Sequence, residues 1–178
     1  SSENNTLKSL ITDRKLMPKA LVLTHFHLDH VFGNQFVKDE WGLLPTGHKD
    51  GAATLAGNKR ACEMYGLPYI PSPEIAHFLV DGDSIKLGED DIKVLHVPGH
   101  STGHVALVNT NSNWVIAGDV LFQGSIGRTD LPGGNLATLE KSIKQKMYLL
   151  PDDMVVYCGH GPETTIGKEK RSNAILSY

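Results

Sequence analysis

The chain has 178 residues, of which 40% are hydrophobic and 21% are charged, and its formal net charge is -3 at pH 7. This composition is typical of a globular protein with a sizeable core, and the scattered Lys and Arg residues exclude the basic surface of a nucleic-acid-binding protein. No apolar run is long enough to span a membrane and no secretory leader opens the chain, so we expect a soluble, cytoplasmic protein.

The first half of the chain mixes helical and strand-like patterns. Residues 4–17 space their leucines as in a helix, which Pro18 limits. Residues 19–25 form a short apolar run that is typical of a buried strand. The rest of this half predicts a helix over 31–42, a weak strand over 42–47, a helix over 50–66 closed by Gly66, and a proline-rich loop over 69–75.

From Ile75 onward the hydrophobic residues repeat with a period of two, which predicts strands. The predicted elements are three strands joined by turns within 77–100, a hairpin of Val105–Asn109 with Trp114–Ala117, a glycine-rich loop over 121–134, an amphipathic helix over 135–150, a strand over 153–160, and a final helix over 167–178. This order predicts an α/β protein whose strands and helices build one layered body.

A cluster of histidines follows the first predicted strand. Residues 24–30 read THFHLDH, so three of the nine histidines fall within six residues. Chance would give the pattern His-x-His-x-Asp-His in roughly one such chain per thousand. Residues two apart on an extended segment face the same way, so His25 and His27 can hold one ion. Asp29 and His30, where the chain turns toward a helix, can then serve a neighbouring position.

Other candidate ligands also stand where a predicted strand ends, which is where functional groups gather in α/β proteins. They are His100, Asp119 and His160, which raise the candidate ligands to seven: His25, His27, Asp29, His30, His100, Asp119 and His160. Seven groups exceed the four that one zinc ion uses, but they suit two ions if one carboxylate bridges. Imidazole with carboxylate favours zinc, with iron and manganese as alternatives. No cysteine occupies a ligand position, which argues against a closed structural zinc site.

The remaining histidines and the cysteines are assigned supporting roles. His104 is predicted to form a hydrogen bond beneath the site and to orient a ligand. His48, His77 and His96 are predicted to be structural or surface residues. Cys158 is expected in the core, and two cysteines in all, Cys62 and Cys158, are too few for a disulfide framework.

These motifs resemble those of the metallo-β-lactamase fold superfamily: THFHLDH at 24–30, PGHSTGH at 98–104, AGDVLF at 117–122 and CGHG at 158–161. The segment GDVLFQGSIGRTDLPGG at 118–134 is similar to the glyoxalase II branch, whose members are hydroxyacylglutathione hydrolases, and particularly to its short single-domain bacterial members. The resemblance covers nearly the whole chain from about Leu16. It implies one domain over 1–178 and an αββα sandwich with the site at one edge of two packed sheets.

The family pattern also implies a division of the ligands. One metal would be held by His25, His27 and His100, the other by Asp29, His30 and His160, and Asp119 would bridge. Members of the family usually begin with strands that are absent here, so we expect part of the first sheet to be missing. Long glyoxalase II enzymes also carry a C-terminal helical domain that helps to bind glutathione, and this chain stops soon after His160.

The activity that the resemblance implies is hydrolysis of S-2-hydroxyacyl thioesters, small-molecule substrates, by a hydroxide that bridges two divalent metal ions. Asp29 would orient that nucleophile, and Arg128 would either hold an anionic substrate or pair with an internal carboxylate. An alternative in the same fold is an iron-dependent persulfide dioxygenase, for which His25, His100 and Asp119 would form the iron triad. A metal-stabilised binding module is the non-enzymatic alternative. The loop GSIGRTDLPGG at 124–134 resembles the thioesterase-like branch, which argues against a β-lactamase.

Overall fold

The computed structural model of the chain describes residues 2–176, with two stacked β-sheets between layers of helices. The smaller sheet has three parallel strands in the order β1 (Leu21–Val22), β2 (Pro45–His48) and β3 (His77–Leu79). The larger sheet has the order β11 (Thr164–Thr165), β10 (Val155–Cys158), β7 (Trp114–Gly118), β6 (Val105–Asn109), β5 (Asp90–His96) and β4 (Ser84–Leu87). A separate hairpin is formed by β8 (Leu121–Phe122) and β9 (Ser125–Ile126).

Six α-helices connect or cover the strands in the described part of the chain: α1 (Ser2–Asp13), α2 (Leu28–Val31), α3 (Asn34–Trp41), α4 (Ala52–Tyr65), α5 (Leu136–Gln145) and α6 (Ile166–Ser172). Two short 3₁₀ helices cover Lys49–Gly51 and Met147–Leu149. Local chemistry explains two of the boundaries. The Asn135 side chain accepts the N–H of Thr138 at the start of α5, and Gly66 ends α4 in the left-handed region. Within residues 2–176, no helix is long and apolar enough to cross a membrane.

Three separate clusters of buried side chains hold the layers together. One lies between the sheets and joins Leu79 of β3 to Val94 of β5 and Val105 of β6. A second packs the opposite face of the larger sheet against Leu139 of α5, and a third packs Phe26 and its neighbours beside α4. Every residue of β6 is buried, as its near-continuous apolar sequence predicts. The expected αββα sandwich is therefore confirmed.

The small sheet covers only part of the large one. Ile116 of β7 and Tyr157 of β10 lie opposite each other on adjacent strands, and their side chains are exposed. On β6, Leu107 pairs with the same Ile116 but is buried between the sheets. An apolar strip of the large sheet thus lies bare beyond the edge of the three-stranded sheet.

Most predicted elements are present, and the differences occur where tertiary contacts decide. The strand predicted over 19–25 is only Leu21–Val22, because the chain leaves the ladder with β2 to carry the histidines toward the other sheet. The helix predicted over 31–42 is Asn34–Trp41, and a separate short helix, Leu28–Val31, precedes it. The loop predicted over 121–134 includes a short hairpin, and β11 was not predicted. The final helix ends at Ser172, and the predicted end at Tyr178 lies outside the described residues.

Candidate functional site

All seven predicted ligands lie at one edge of the sandwich, each in a segment that follows a strand. His25 and His27 follow β1 of the small sheet, and α2 then carries Asp29 and His30. His100 follows β5, Asp119 follows β7 directly, and His160 follows β10, all in the large sheet. The site therefore straddles the two sheets.

Three imidazoles form the inner group of the site. His25, His27 and His100 each offer a ring nitrogen, and these atoms lie within 4.8 Å of one another. Nδ1 of His27 is 2.8 Å from Nε2 of His100. The Nδ1–H of His100 donates to the carbonyl oxygen of Arg128 at 2.8 Å, which leaves the Nε2 lone pair facing the other rings.

The outer group consists of Asp29, His30 and His160. Oδ2 of Asp29 lies 3.0 Å from Nε2 of His160 and 3.6 Å from Nε2 of His30. The side chains of Asp29 and His160 are 48% and 57% exposed, whereas His25 and His100 are buried. The outer group therefore faces the solvent, and the inner group closes the floor of the site.

Asp119 stands between the two groups. Its Oδ2 lies 3.6 Å from Nε2 of His100 and 3.4 Å from Nε2 of His160. Its Oδ1 lies 3.4 Å from Nε2 of His30. The two oxygens of one carboxylate thus face imidazoles from both groups, which is the arrangement that a bridging ligand requires.

Several buried polar atoms at the site have no hydrogen-bond partner among the described residues: Nε2 of His25, Nε2 of His30, Nδ1 of His104 and Oδ1 of Asp119. Each such atom costs about 1–3 kcal/mol when left unpaired. Nitrogens that share a tetrahedral zinc ion at about 2.0–2.1 Å lie about 3.3 Å apart, close to the spacings seen here. The donor set therefore fits two divalent ions. Such ions would provide partners for the unpaired atoms of the candidate ligands His25, His30 and Asp119.

Burial and neighbouring charges shift the pKa values of the inner imidazoles and of Asp119 toward the forms that bind a metal, and they shift that of His30 in the opposite direction. Burial, reinforced by neighbouring imidazoles, lowers the pKa of His25 far below its usual range and that of His27 to about 4. Burial would raise the pKa of Asp119, but His30 and His100 outweigh it and the pKa is lowered. For His30, burial is in turn outweighed by Asp119 and Asp29, so its pKa is raised.

His104 lies beneath the inner group. Its ring is fully buried and stacks on that of His25, with centroids 4.6 Å apart. Its Nε2 accepts the backbone N–H of Asp119 at 3.0 Å. The histidine thus contacts one candidate ligand through its ring face and a second through its nitrogen.

Two glycines beside Asp119 leave no room for a side chain. Gly118 has a φ of +51°, and a Cβ there would lie 2.6 Å from Oγ1 of Thr24 and 2.7 Å from the His104 ring. A Cβ on Gly159 would collide with Oδ1 of Asp119. Sequence reasoning missed both roles, although AGD and CGHG place each glycine next to a candidate ligand.

Arg128 contributes through its backbone as well as its side chain. Its Nε and Nη2 both donate to the Asp130 carboxylate at 2.7 Å. The paired carboxylate belongs to the protein itself, two residues along the chain, and it is exposed. The backbone carbonyl of Arg128 meanwhile accepts the hydrogen bond from His100.

His48, His77, His96 and the two cysteines do not belong to the groups that the seven candidate ligands form among the described residues. His48 is buried and stacks on His96, while His77 is exposed on β3. Cys62 is buried, Cys158 is half-buried against the core rather than within it, and both thiols are free.

Comparison with known proteins gives a consistent result. Residues 6–160 match the Metallo-beta-lactamase superfamily. Hydroxyacylglutathione hydrolase GloC of Haemophilus influenzae is 39% identical over 98% of this chain and 84% of its own length.

Two solved structures superpose closely on the chain. The BLEG-1 B3 metallo-beta-lactamase has a TM-score of 0.91 at 35% identity, over 98% of this chain and 85% of its own. TTHA1623, solved in a di-iron-bound form, has a TM-score of 0.88 at 37% identity, over 96% of this chain and 84% of its own. At these identities the similarity includes the amino-acid sequence as well as the fold.

Proposed function

Because the chain belongs to the metallo-β-lactamase superfamily, we propose that it is a binuclear metallohydrolase that cleaves S-2-hydroxyacyl thioesters. The observation that carries the proposal is the position of Asp119, whose carboxylate lies within 4.0 Å of imidazoles from both ligand groups. Such convergence of side chains from four separate segments is the pattern of a functional centre.

The ligands would divide as follows: His25, His27 and His100 for one ion, Asp29, His30 and His160 for the other, and Asp119 for both. We propose zinc, with iron and manganese as alternatives, since imidazole and carboxylate donors suit all three. When bound, two divalent ions lower the pKa of a water molecule to about 7 and polarise a carbonyl group.

The protein's own groups would then orient the reaction. Asp29 is half-exposed at the open side of the site, where its carboxylate can accept a hydrogen bond from the attacking water. The buried imidazoles of His25 and His100 exclude bulk water from the floor. A thiolate, whose parent thiol has a pKa of about 8.5, leaves readily, so no strong general acid is needed.

The choice of thioester rests on the relative with that activity. GloC is a hydroxyacylglutathione hydrolase by name, and its 39% identity extends over nearly the entire chain. β-Lactam hydrolysis is a second candidate, because BLEG-1 is named as a B3 metallo-β-lactamase. A dioxygenase would need only a three-residue iron triad, whereas four further candidate ligands adjoin His25, His100 and Asp119 here.

A substrate panel on protein of known metal content tests the proposal. We expect S-lactoylglutathione to release free thiol, with turnover that disappears after chelation and returns with metal. A chromogenic cephalosporin and glutathione persulfide with an oxygen electrode serve as the competing substrates. The proposal fails if the cephalosporin is cleaved with a higher kcat/KM than every thioester, or if oxygen is consumed while no thioester is cleaved.

A further inference from the structure

A second group of side chains connects the two sheets near the site. The ring of His48, at the end of β2, stacks on that of His96, at the end of β5, with centroids 4.0 Å apart and planes within 2°. His48 belongs to the small sheet and His96 to the large one. The stack is therefore a contact between the sheets.

Hydrogen bonds extend this contact into the loop that carries His100. Nε2 of His96 donates to the carbonyl oxygen of Thr102 at 2.8 Å, because a carbonyl can only accept. Oγ1 of Thr102 donates to the carbonyl oxygen of Asp50 at 3.1 Å, back across to the segment after β2. The backbone N–H of Asp50 in turn donates to Nδ1 of His48 at 3.2 Å. The four residues thus form a closed circuit.

The circuit does not itself suit a metal ion. His48, Asp50 and His96 offer donor atoms within 4.8 Å of one another. Imidazole lone pairs lie in the plane of the ring, however, so two parallel stacked rings direct them side by side rather than at one point. The rings would have to leave the stack to share an ion.

We propose instead that His96 is a positioning residue for the inner metal site, since it fixes the distance between the His100 loop and the small sheet, from whose first strand the segment with His25 and His27 continues. The inference rests on the ligand set proposed above. The inner site draws ligands from both sheets, so it depends on their separation. Thr102, to which His96 is bonded, lies two residues from His100.

The outer site also has ligands from both sides of the sandwich, but it lies farther from this contact. Asp29 and His30 lie on α2, and His160 follows β10, three strands away from β5 in the large sheet. Loss of the circuit should therefore weaken one ion more than the other, whereas a general loss of stability would weaken both.

The test measures stepwise zinc affinity by competition with a chelating dye. In a His160→Ala background, which leaves the inner group intact, we expect His96→Ala to lower zinc affinity about 10–100-fold, the usual effect of losing a group that supports a ligand. In a His27→Ala background, which leaves the outer group intact, we expect less than about a threefold change. His96→Phe keeps an aromatic ring for the stack but lacks the donor to Thr102, and it should fall between.

The matched control is His77→Ala, which removes an exposed histidine from β3 and should alter neither affinity. Equal losses in the two backgrounds, or no loss in either, would overturn the proposal. If His96→Ala does not fold, His96→Phe gives the same comparison. Zinc affinity is independent of turnover, so a protein that binds two ions but cleaves no thioester would refute the proposed function alone.

Discussion

The backbone N–H of Asp119 donates to Nε2 of His104 at 3.0 Å, and both residues are buried. His104 thus holds the main chain of Asp119 from below, while the carboxylate of Asp119 faces the imidazoles. An acceptor at this position restrains the main chain from which the carboxylate projects.

Removal of that acceptor should weaken metal binding. We expect His104→Ala to lower zinc affinity about 10–100-fold and to lower the free energy of unfolding of the metal-free protein by about 1–3 kcal/mol, because the Asp119 amide is left unpaired. Calorimetric zinc titration and urea unfolding measure the two effects. Unchanged zinc affinity in a folded His104→Ala variant would contradict this role, and His77→Ala is the control.

The carboxylate itself should be indispensable. We expect Asp119→Ala and His27→Ala each to abolish thioester hydrolysis while most of the fold remains, since each removes a proposed ligand. Mass spectrometry of the native protein should show fewer than two ions per chain, and circular dichroism should report a nearly unchanged fold. Turnover retained in either variant would count against the proposed metal centre.

A methyl group at Gly159 should displace Asp119. The added Cβ collides with Oδ1 of that carboxylate, so we expect Gly159→Ala to lose metal and activity together. Gly57→Ala is the matched control, because its Cβ meets nothing within 4 Å inside α4 and the change should be neutral or stabilising by up to about 1 kcal/mol. Full metal content in Gly159→Ala would show that the space is larger than described.

The stability of the metal-free protein should depend on pH. The pKa of His27 is about 4 in the folded chain and about 6.5 in an unfolded one. Between these values the unfolded state binds the extra proton, so stability is complete above about pH 6.5 and declines as the pH falls toward 4. With solvent screening, His27 should account for about 1 kcal/mol between pH 7 and pH 5.

Urea unfolding of chelated protein at the two pH values measures this loss, and His27→Gln should reduce it. The raised pKa of His30 acts in the opposite direction, because a histidine with a raised pKa stabilises the fold at low pH and loses that effect as pH rises. Stability that increases from pH 7 to pH 5 would show that His30 outweighs the buried imidazoles.

The side chain of Arg128 should influence affinity rather than chemistry. We expect Arg128→Met to raise KM for S-lactoylglutathione, an anionic substrate, more than for a neutral thioester, and to leave kcat within about threefold, because the hydrogen bond to His100 comes from the backbone. Asp130→Asn, which frees the guanidinium from its partner, should lower KM for the anionic substrate. Equal effects on both substrates would indicate a structural ion pair.

How far the sequence could predict the site depends on the residue. His25 and His27 are readable because their spacing matches an extended segment, and Asp119 and His160 because each follows an apolar strand. The pairing of Arg128 with Asp130 was not predicted, since both lie in an irregular segment whose backbone path decides which side chains meet. The need for glycine at 159 arises from a carboxylate forty residues earlier in the chain, which no local pattern reveals.

The fold shows the same division. Periodicity identifies β5 and β6, whose alternation or continuous apolar run reflects burial on one or both faces. Periodicity overestimates the length of β1, because only two residues of that strand pair with β2. It also misses the contact between His48 and His96, which are far apart in sequence and meet only when the sheets stack.

Because the small sheet supplies some donors and the large sheet the others, neither half of the sandwich can keep an intact reaction centre alone. Local unfolding of the three-stranded sheet would release a bound ion well before the helices unfold. Bound metal should therefore act as a cross-link between the halves, and slow exchange of the amides around β1 and β2 should depend on whether the protein is loaded.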